Sequence, residues 1–310
     1  MKKIPVWFDC DTGVDDAIAL ILLSQLDSFD VVGVSTVAGN VGVDKTTNNT
    51  LRVLDLCRVS YPVYRGAAQP MMREQITASY VHGEDGLGGV ILPESERFPE
   101  TLPAWDALYQ AAVQHAGELV LIAVGPMTNI GLTLTKYKDF PNLIKRIVIM
   151  GGAAVGGNVT PAAEFNILAD PEAAAMLFDC GVQVEMCGLD MTMKAYLTRD
   201  ELDDLVQLGT PQATFARDCL QRALKFGESY QFPGVALHDP AAVLYADDGA
   251  MFEVRPAWVR VETKGSCTYG KTVTDLYSDK KYDMREHLAV INVDRDAFKD
   301  RLFELFARFG

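Results

Sequence analysis

The run from Phe8 to Leu20, FDCDTGVDDAIAL, sets the carboxylates of Asp9, Asp11, Asp15 and Asp16 around a single glycine-containing turn. Helix capping accounts for Asp15 and Asp16, because acids at a helix start meet free amides and the positive end of the helix dipole. It leaves Asp9 and Asp11 unexplained. They precede Gly13 and would repel the other acids unless a cation or shared protons offset the charge. With no histidine or cysteine cluster beside it, such a group is a hard oxygen site, suited to calcium or magnesium rather than zinc.

Two further stretches carry usable chemistry. In NVTPAAEFN, Asn158, Glu164 and Asn166 offer amides and a carboxylate that can hydrogen-bond several sugar hydroxyls. The same asparagines also suit ordinary turns, where they bond their own backbone. In LHDP, His238 and Asp239 read equally as a loop histidine beside a capping aspartate. Of the 4 histidines, His115 falls in a helical segment and His287 at a strand start, both structural. His82, in YVHGEDGLGG, is expected on a glycine-rich surface loop that could approach a ligand.

Positioning these groups takes strands that end where the motifs begin. Strand-like runs occur at 4–9, 31–37, 119–124, 147–150 and 182–187, with helix-like segments at 15–25, 45–57, 105–115, 129–136 and 171–180. That alternation predicts an α/β fold with a mostly parallel sheet covered by helices. In such sheets ligands bind beyond the carboxyl ends of the strands. The acidic turn, the AGN of residues 38–40 and the glycine-rich 151–157 all follow strands. The last third is less regular, with a helix at 211–226, strands at 258–262 and 287–293, and a final helix whose Phe298, Leu302, Leu305 and Phe309 share a core-facing side.

The 310 residues are 49% hydrophobic and 23% charged, a composition that folds, and one domain over 1–310 is expected because no linker divides it. A net charge of −14 with no basic cluster excludes nucleic acid as a natural partner. The 6 cysteines show no metal-ligand or CxxC spacing and read as reduced thiols of a cytoplasmic protein. The start MKKIPVWFDC leaves no room for a signal sequence, and the apolar run at 17–23 is too short to span a bilayer, so no membrane partner is expected.

Taken in order, DCDTGVDD, AGN, VGPMTNI, IVIMGGA, GGNVTPAAEFNI, DPEAA, GLDMT and HDP resemble the nucleoside hydrolase family, the inosine-uridine preferring nucleoside N-ribohydrolases. The resemblance implies a single α/β domain with a mixed, mainly parallel central sheet flanked by helices and a Rossmann-like core, and a tightly bound Ca2+ with Asp11, Asp16 and Asp239 as side-chain ligands, the carbonyl of Val124 as another and Asp9 in support. It implies Asp11 as general base and His238 as acid for the departing nucleobase. Asp15, Asn40 and Asn166 would hold the 2′ and 3′ region of a ribonucleoside, Asn158 and Glu164 would meet its 5′-hydroxyl, and His82 and Phe165 would border the pocket. A homo-oligomer, dimer or tetramer, and a place in purine or pyrimidine salvage go with the family. Thr12 stands where the family usually has proline, and Met193 where some members have histidine. The segment 222–232, which should border the nucleobase, follows no family pattern. Two rivals are a haloacid-dehalogenase-like phosphatase, whose DxD also follows a first strand but which needs a phosphate-contacting lysine, and a nucleoside-binding paralogue without catalysis.

Overall fold

The computed structural model describes residues 2–276 and 287–310. Its strands are β1 (Ile4–Cys10), β2 (Phe29–Thr36), β3 (Val63–Arg65), β4 (Leu119–Ala123), β5 (Ile144–Met150), β6 (Val184–Cys187), β7 (Tyr196–Leu197), β8 (Val235–Ala236), β9 (Phe252–Val261), β10 (Thr272–Asp275) and β11 (His287–Val293). Its helices are α1 (Val14–Leu23), α2 (Val43–Leu56), α3 (Ser79–His82), α4 (Ala104–Gln114), α5 (Thr128–Lys136), α6 (Phe165–Ala169), α7 (Pro171–Phe178), α8 (Leu189–Thr192), α9 (Arg199–Leu205), α10 (Pro211–Ser229), α11 (His238–Asp247) and α12 (Arg295–Ala307).

One sheet runs in the order β10-β9-β11-β6-β5-β4-β1-β2-β3. From β3 to β11 every neighbouring pair is parallel, and β9 pairs antiparallel with both β11 and β10. The expected mixed, mainly parallel sheet is therefore found. Starting from β1, the chain builds outward to β2 and β3, then returns to the other side for β4, β5 and β6. The reversal opens a crevice between the carboxyl ends of β1 and β4, where parallel sheets place ligands.

Alternation along β1 divides the interior. Val6, Phe8 and Cys10 join one core with α1, α10, α11 and α12, while Trp7 joins a second with α4, α5 and α7. Every residue of α1 is buried. A helix apolar on most of its circumference is stable only when covered all round, and α2, α10, α11 and α12 supply that cover. In α12, Phe298, Leu302 and Leu305 are buried as expected, but the fourth core residue is Phe306. Phe309 lies past the helix end, where the helical period no longer applies, and only packs against the core edge. Among the described residues, no helix is long and apolar enough to cross a membrane.

Candidate active site

The turn between β1 and α1 is held by its own acids. Asp16 accepts the amide of Asp11 at 3.0 Å on Oδ1 and that of Gly13 at 2.9 Å on Oδ2, closing the turn from inside the first helical residues. Asn40, in the loop after β2, donates its backbone amide to Asp11 Oδ2 at 2.6 Å and its side-chain amide to Asp16 Oδ2 at 3.0 Å. No side chain fits at two glycines here: a Cβ on Gly13 would lie 2.3 Å from His82 Nδ1, and one on Gly39 2.1 Å from Asp11 Oδ2. Asp11 Oδ1 is left buried without a partner. It faces the turn after β4, where a Cβ on Gly125 would come within 2.9 Å of it.

Carboxylate oxygens of Asp15, Asp16 and Asp239 lie within 4.8 Å of one another, so the first turn of α11 meets the first turn of α1. Burial, reinforced by the neighbouring acids, pushes Asp11 and Asp239 well above the usual carboxylate range and raises Asp16 as well. Buried acids this close cannot all ionise without a counter-charge. The mutual repulsion and all-oxygen donor set of Asp15, Asp16 and Asp239 fit a hard divalent cation, with the partnerless Oδ1 of Asp11 beside Asp16 as a further free acceptor. The Val124 carbonyl, at the end of β4, already accepts Asn166 Nδ2 at 2.7 Å and keeps a second lone pair. Asp15, expected only as a ribose contact, belongs to the same acidic group.

Of the remaining expected residues, Asn166 reaches this centre through the Val124 carbonyl. Glu164 caps α6 and accepts amides of Gly152, Asn166 and Ile167 at 2.8, 2.9 and 3.2 Å. Burial nevertheless raises its carboxyl to about 7. Asn158 Oδ1 accepts the amide of Phe165 at 3.0 Å, tying the loop to the helix start. His82 is not on a surface loop: it ends α3, is buried, and accepts the Val14 amide at 3.1 Å on Nδ1, 4.0 Å from Asp15 Oδ1. That backbone bond, invisible in the local sequence, pulls the glycine-rich segment inward. His238 bonds Thr192 Oγ1 at 2.8 Å through Nδ1, and burial holds its imidazole below the usual histidine range. His82 is lowered for the same reason, with His238 adding to the effect.

Asp9 of the acidic turn supports the site from within β1, and several of its partners were not anticipated. Asp9, raised by burial to about 7, accepts Ser35 Oγ and Asn129 Nδ2, and its carbonyl takes the amide of Val124 at 2.8 Å. Asn129 also reaches Thr36 O and the Ala67 amide, so one side chain ties β1, β2 and the segment after β3 together. Asn49 of α2 donates to Thr12 O and Asp85 O. Only long-range pairing reveals these roles; the TN within VGPMTNI was the one local hint. A cleft of about 680 Å³ at the start of β9, beside Phe252, Asn292 and Asp294, contains no motif residue.

The sequence profile of the inosine-uridine preferring nucleoside hydrolases matches residues 6–300. The chain belongs to this family. As a nucleoside hydrolase it is an enzyme acting on N-glycosyl bonds, which removes the phosphatase reading. It is 40% identical to the pyrimidine-specific ribonucleoside hydrolase RihA of Shewanella woodyi over 96% of each chain, and 40% identical to that of Citrobacter koseri over 99% of each. Among solved structures, a plant nucleoside hydrolase superposes with a TM-score of 0.92 at 31% identity over 99% of both chains. A purine-preferring ribonucleoside hydrolase from Gardnerella vaginalis gives 0.92 at 30% identity over 98% of both.

Proposed function

We propose that the chain is a Ca2+-dependent hydrolase of ribonucleosides, with pyrimidine ribonucleosides as preferred substrates. The carrying observation is the partnerless, buried Asp11 Oδ1 among converging carboxylates at the sheet's crevice. The preference for pyrimidines rests on the two RihA relatives, which align over nearly their full length.

In this reading Asp11, Asp16, Asp239 and the Val124 carbonyl hold the ion. Bound there, it supplies positive charge that acidifies a water molecule and gathers the ribose diol. Asp11 takes the proton of the attacking water, the task its free oxygen suits. Asn40 orients the acids through its two amide groups and lies against the diol with Asp15 and Asn166. Glu164 and Asn158 meet the 5′-hydroxyl. Cleavage places positive charge on the sugar, as in other glycosidases, and the surrounding carboxylates stabilise it. The departing base gains negative charge, which His238 offsets by donating from Nε2, its Nδ1 being engaged by Thr192. His82 and Phe165 border the base.

A reducing-sugar assay on uridine, cytidine, inosine and adenosine tests the reading, with calcium measured on the same sample. Ribose release fastest from the pyrimidine nucleosides is expected, with about one calcium per chain. Calorimetric binding of uridine with no ribose released would instead establish a binding protein. Full activity after chelation would remove calcium from the account.

A further inference from the structure

The loop 151–157, GGAAVGG, leads from β5 to Asn158 and Glu164, and Ala153 is its one side chain packed in the core. Its most prominent side chain, Val155, is 81% exposed. Beyond Ala153, and beyond the backbone bonds of Gly151 and Gly152 to Cys187 and Leu189, the loop is held by charges on its backbone. Asp190, in the first turn of α8, accepts the amides of Ala154 and Val155 at 2.6 and 3.1 Å. Lys271, just before β10, donates its ammonium to three carbonyls, Ala153 at 2.9 Å and Ala154 and Gly156 at 3.2 Å. Thr272 bonds both the amide and the carbonyl of Ala153, and Glu164 takes the amide of Gly152. The backbone of 152–156 is thus fixed by an anion on one side and a cation on the other. Beyond it, Asn158, Val159 and Thr160 turn their amides onto the carbonyl of Ala163, which leads directly to Glu164.

We propose that Lys271 and Asp190 are positioning residues for recognition of the ribose 5′-hydroxyl, with Lys271 acting as a built-in monovalent cation in a cage of loop carbonyls. The proposal rests on the reading of Asn158 and Glu164 as the 5′-hydroxyl contacts. Neither Lys271 nor Asp190 need touch substrate; each sets the loop that carries the groups that do. A half-buried ammonium on carbonyl oxygens is replaceable by a free ion of similar size once its tether is removed, because the oxygens and the space remain. Loss of the cation leaves carbonyls pointing at one another, and the loop relaxes away from its present path.

The test compares kcat/KM for uridine and 5′-deoxyuridine in the wild type, Lys271→Ala and Lys271→Arg, with and without ammonium chloride, using tetramethylammonium chloride as the ionic-strength control. A site that hydrogen-bonds a hydroxyl discriminates strongly against its absence, so the wild type should favour uridine by roughly 100-fold or more. In Lys271→Ala that ratio should fall about tenfold or more, through the uridine value alone. Hydrolysis of 5′-deoxyuridine should persist and serve as the internal measure of correct folding. Ammonium should restore part of the ratio to Lys271→Ala, tetramethylammonium none, and Lys271→Arg should retain most of it. Equal slowing of both substrates in Lys271→Ala, or an unchanged ratio, would overturn the proposal while leaving the 5′-hydroxyl reading intact. Equal rates on both substrates in the wild type would overturn that reading and the proposal with it.

Discussion

Asp11 has one carboxylate oxygen engaged by Asn40 and the other buried with nothing to accept. Replacing it by asparagine should abolish turnover and weaken substrate binding much less, as single-turnover rates and calorimetry can separate; equal losses would indicate a collapsed site. His238→Ala should slow natural nucleosides by roughly 100 to 10,000 fold and spare a p-nitrophenyl riboside, whose leaving group needs no proton. Equal slowing of both would make the histidine a holder of the ribose or metal shell. For Glu164, burial sets the direction: its carboxyl lies near 7 in the fold against an ordinary 4.5. Its contribution to stability is therefore full below about 4.5 and is lost as pH rises through about 7. Urea unfolding should show wild type losing on the order of 3 kcal/mol relative to Glu164→Gln across that window. The opposite slope would mean that the three amide donors outweigh burial. The acidic turn of Asp9, Asp11, Asp15 and Asp16 was legible because repulsion among carboxylates needs an explanation, whereas Asp239, far beyond Asp16 in the chain, read as a capping aspartate and joined them only through the family resemblance. Asn129 and Thr192 were not legible, since an amide or hydroxyl declares its role only through its partner.

At the scale of elements, the strands ending in motifs were readable and their edges were not. Helix α1 begins at Val14 and β2 at Phe29, each within a couple of residues of the period-based limits, because caps and strand pairing decide the ends. The short β3 and the edge strand β10 have too few residues to show a period. The position of Thr12 gains a physical account from α2, whose Thr46, Thr47, Asn49 and Thr50 are all buried. Thr12 Oγ1 lies 2.6 Å from Thr50 Oγ1, and Thr50 in turn donates to Thr46 O at 2.9 Å. The pair stiffens the acidic turn by hydrogen bonding where the family usually has the ring of a proline. Thr50→Val should cost about 1–3 kcal/mol by leaving the buried Thr12 hydroxyl poorly paired, measurable by thermal unfolding. Calcium titration of the same variant should show weaker binding. Lost stability with unchanged affinity would confine the pair to packing.

Across the whole molecule, the candidate metal site joins α1 to α11, elements that also make the core around the sheet. An ion that binds only the folded chain stabilises it by mass action, about 2.7 kcal/mol at a free concentration a hundredfold above its dissociation constant. Chelation should therefore lower the melting temperature by several degrees, calcium should restore it, and Asp11→Asn should reduce the shift. Calorimetry that shows no shift would argue against a resident ion. The same join bears on how the protein is made. Asp11 and Asp16 leave the ribosome early, whereas Asp239 follows only after β8. Until then α1, buried on every side in the finished protein, lacks α11 and α12 from its cover, with only α2 and α10 made before them. A nascent chain stopped before α11 would expose that helix to chaperones and aggregation. Its acids would still wait for the last of their number, so maturation comes late in synthesis, with core closure and ion capture arriving together.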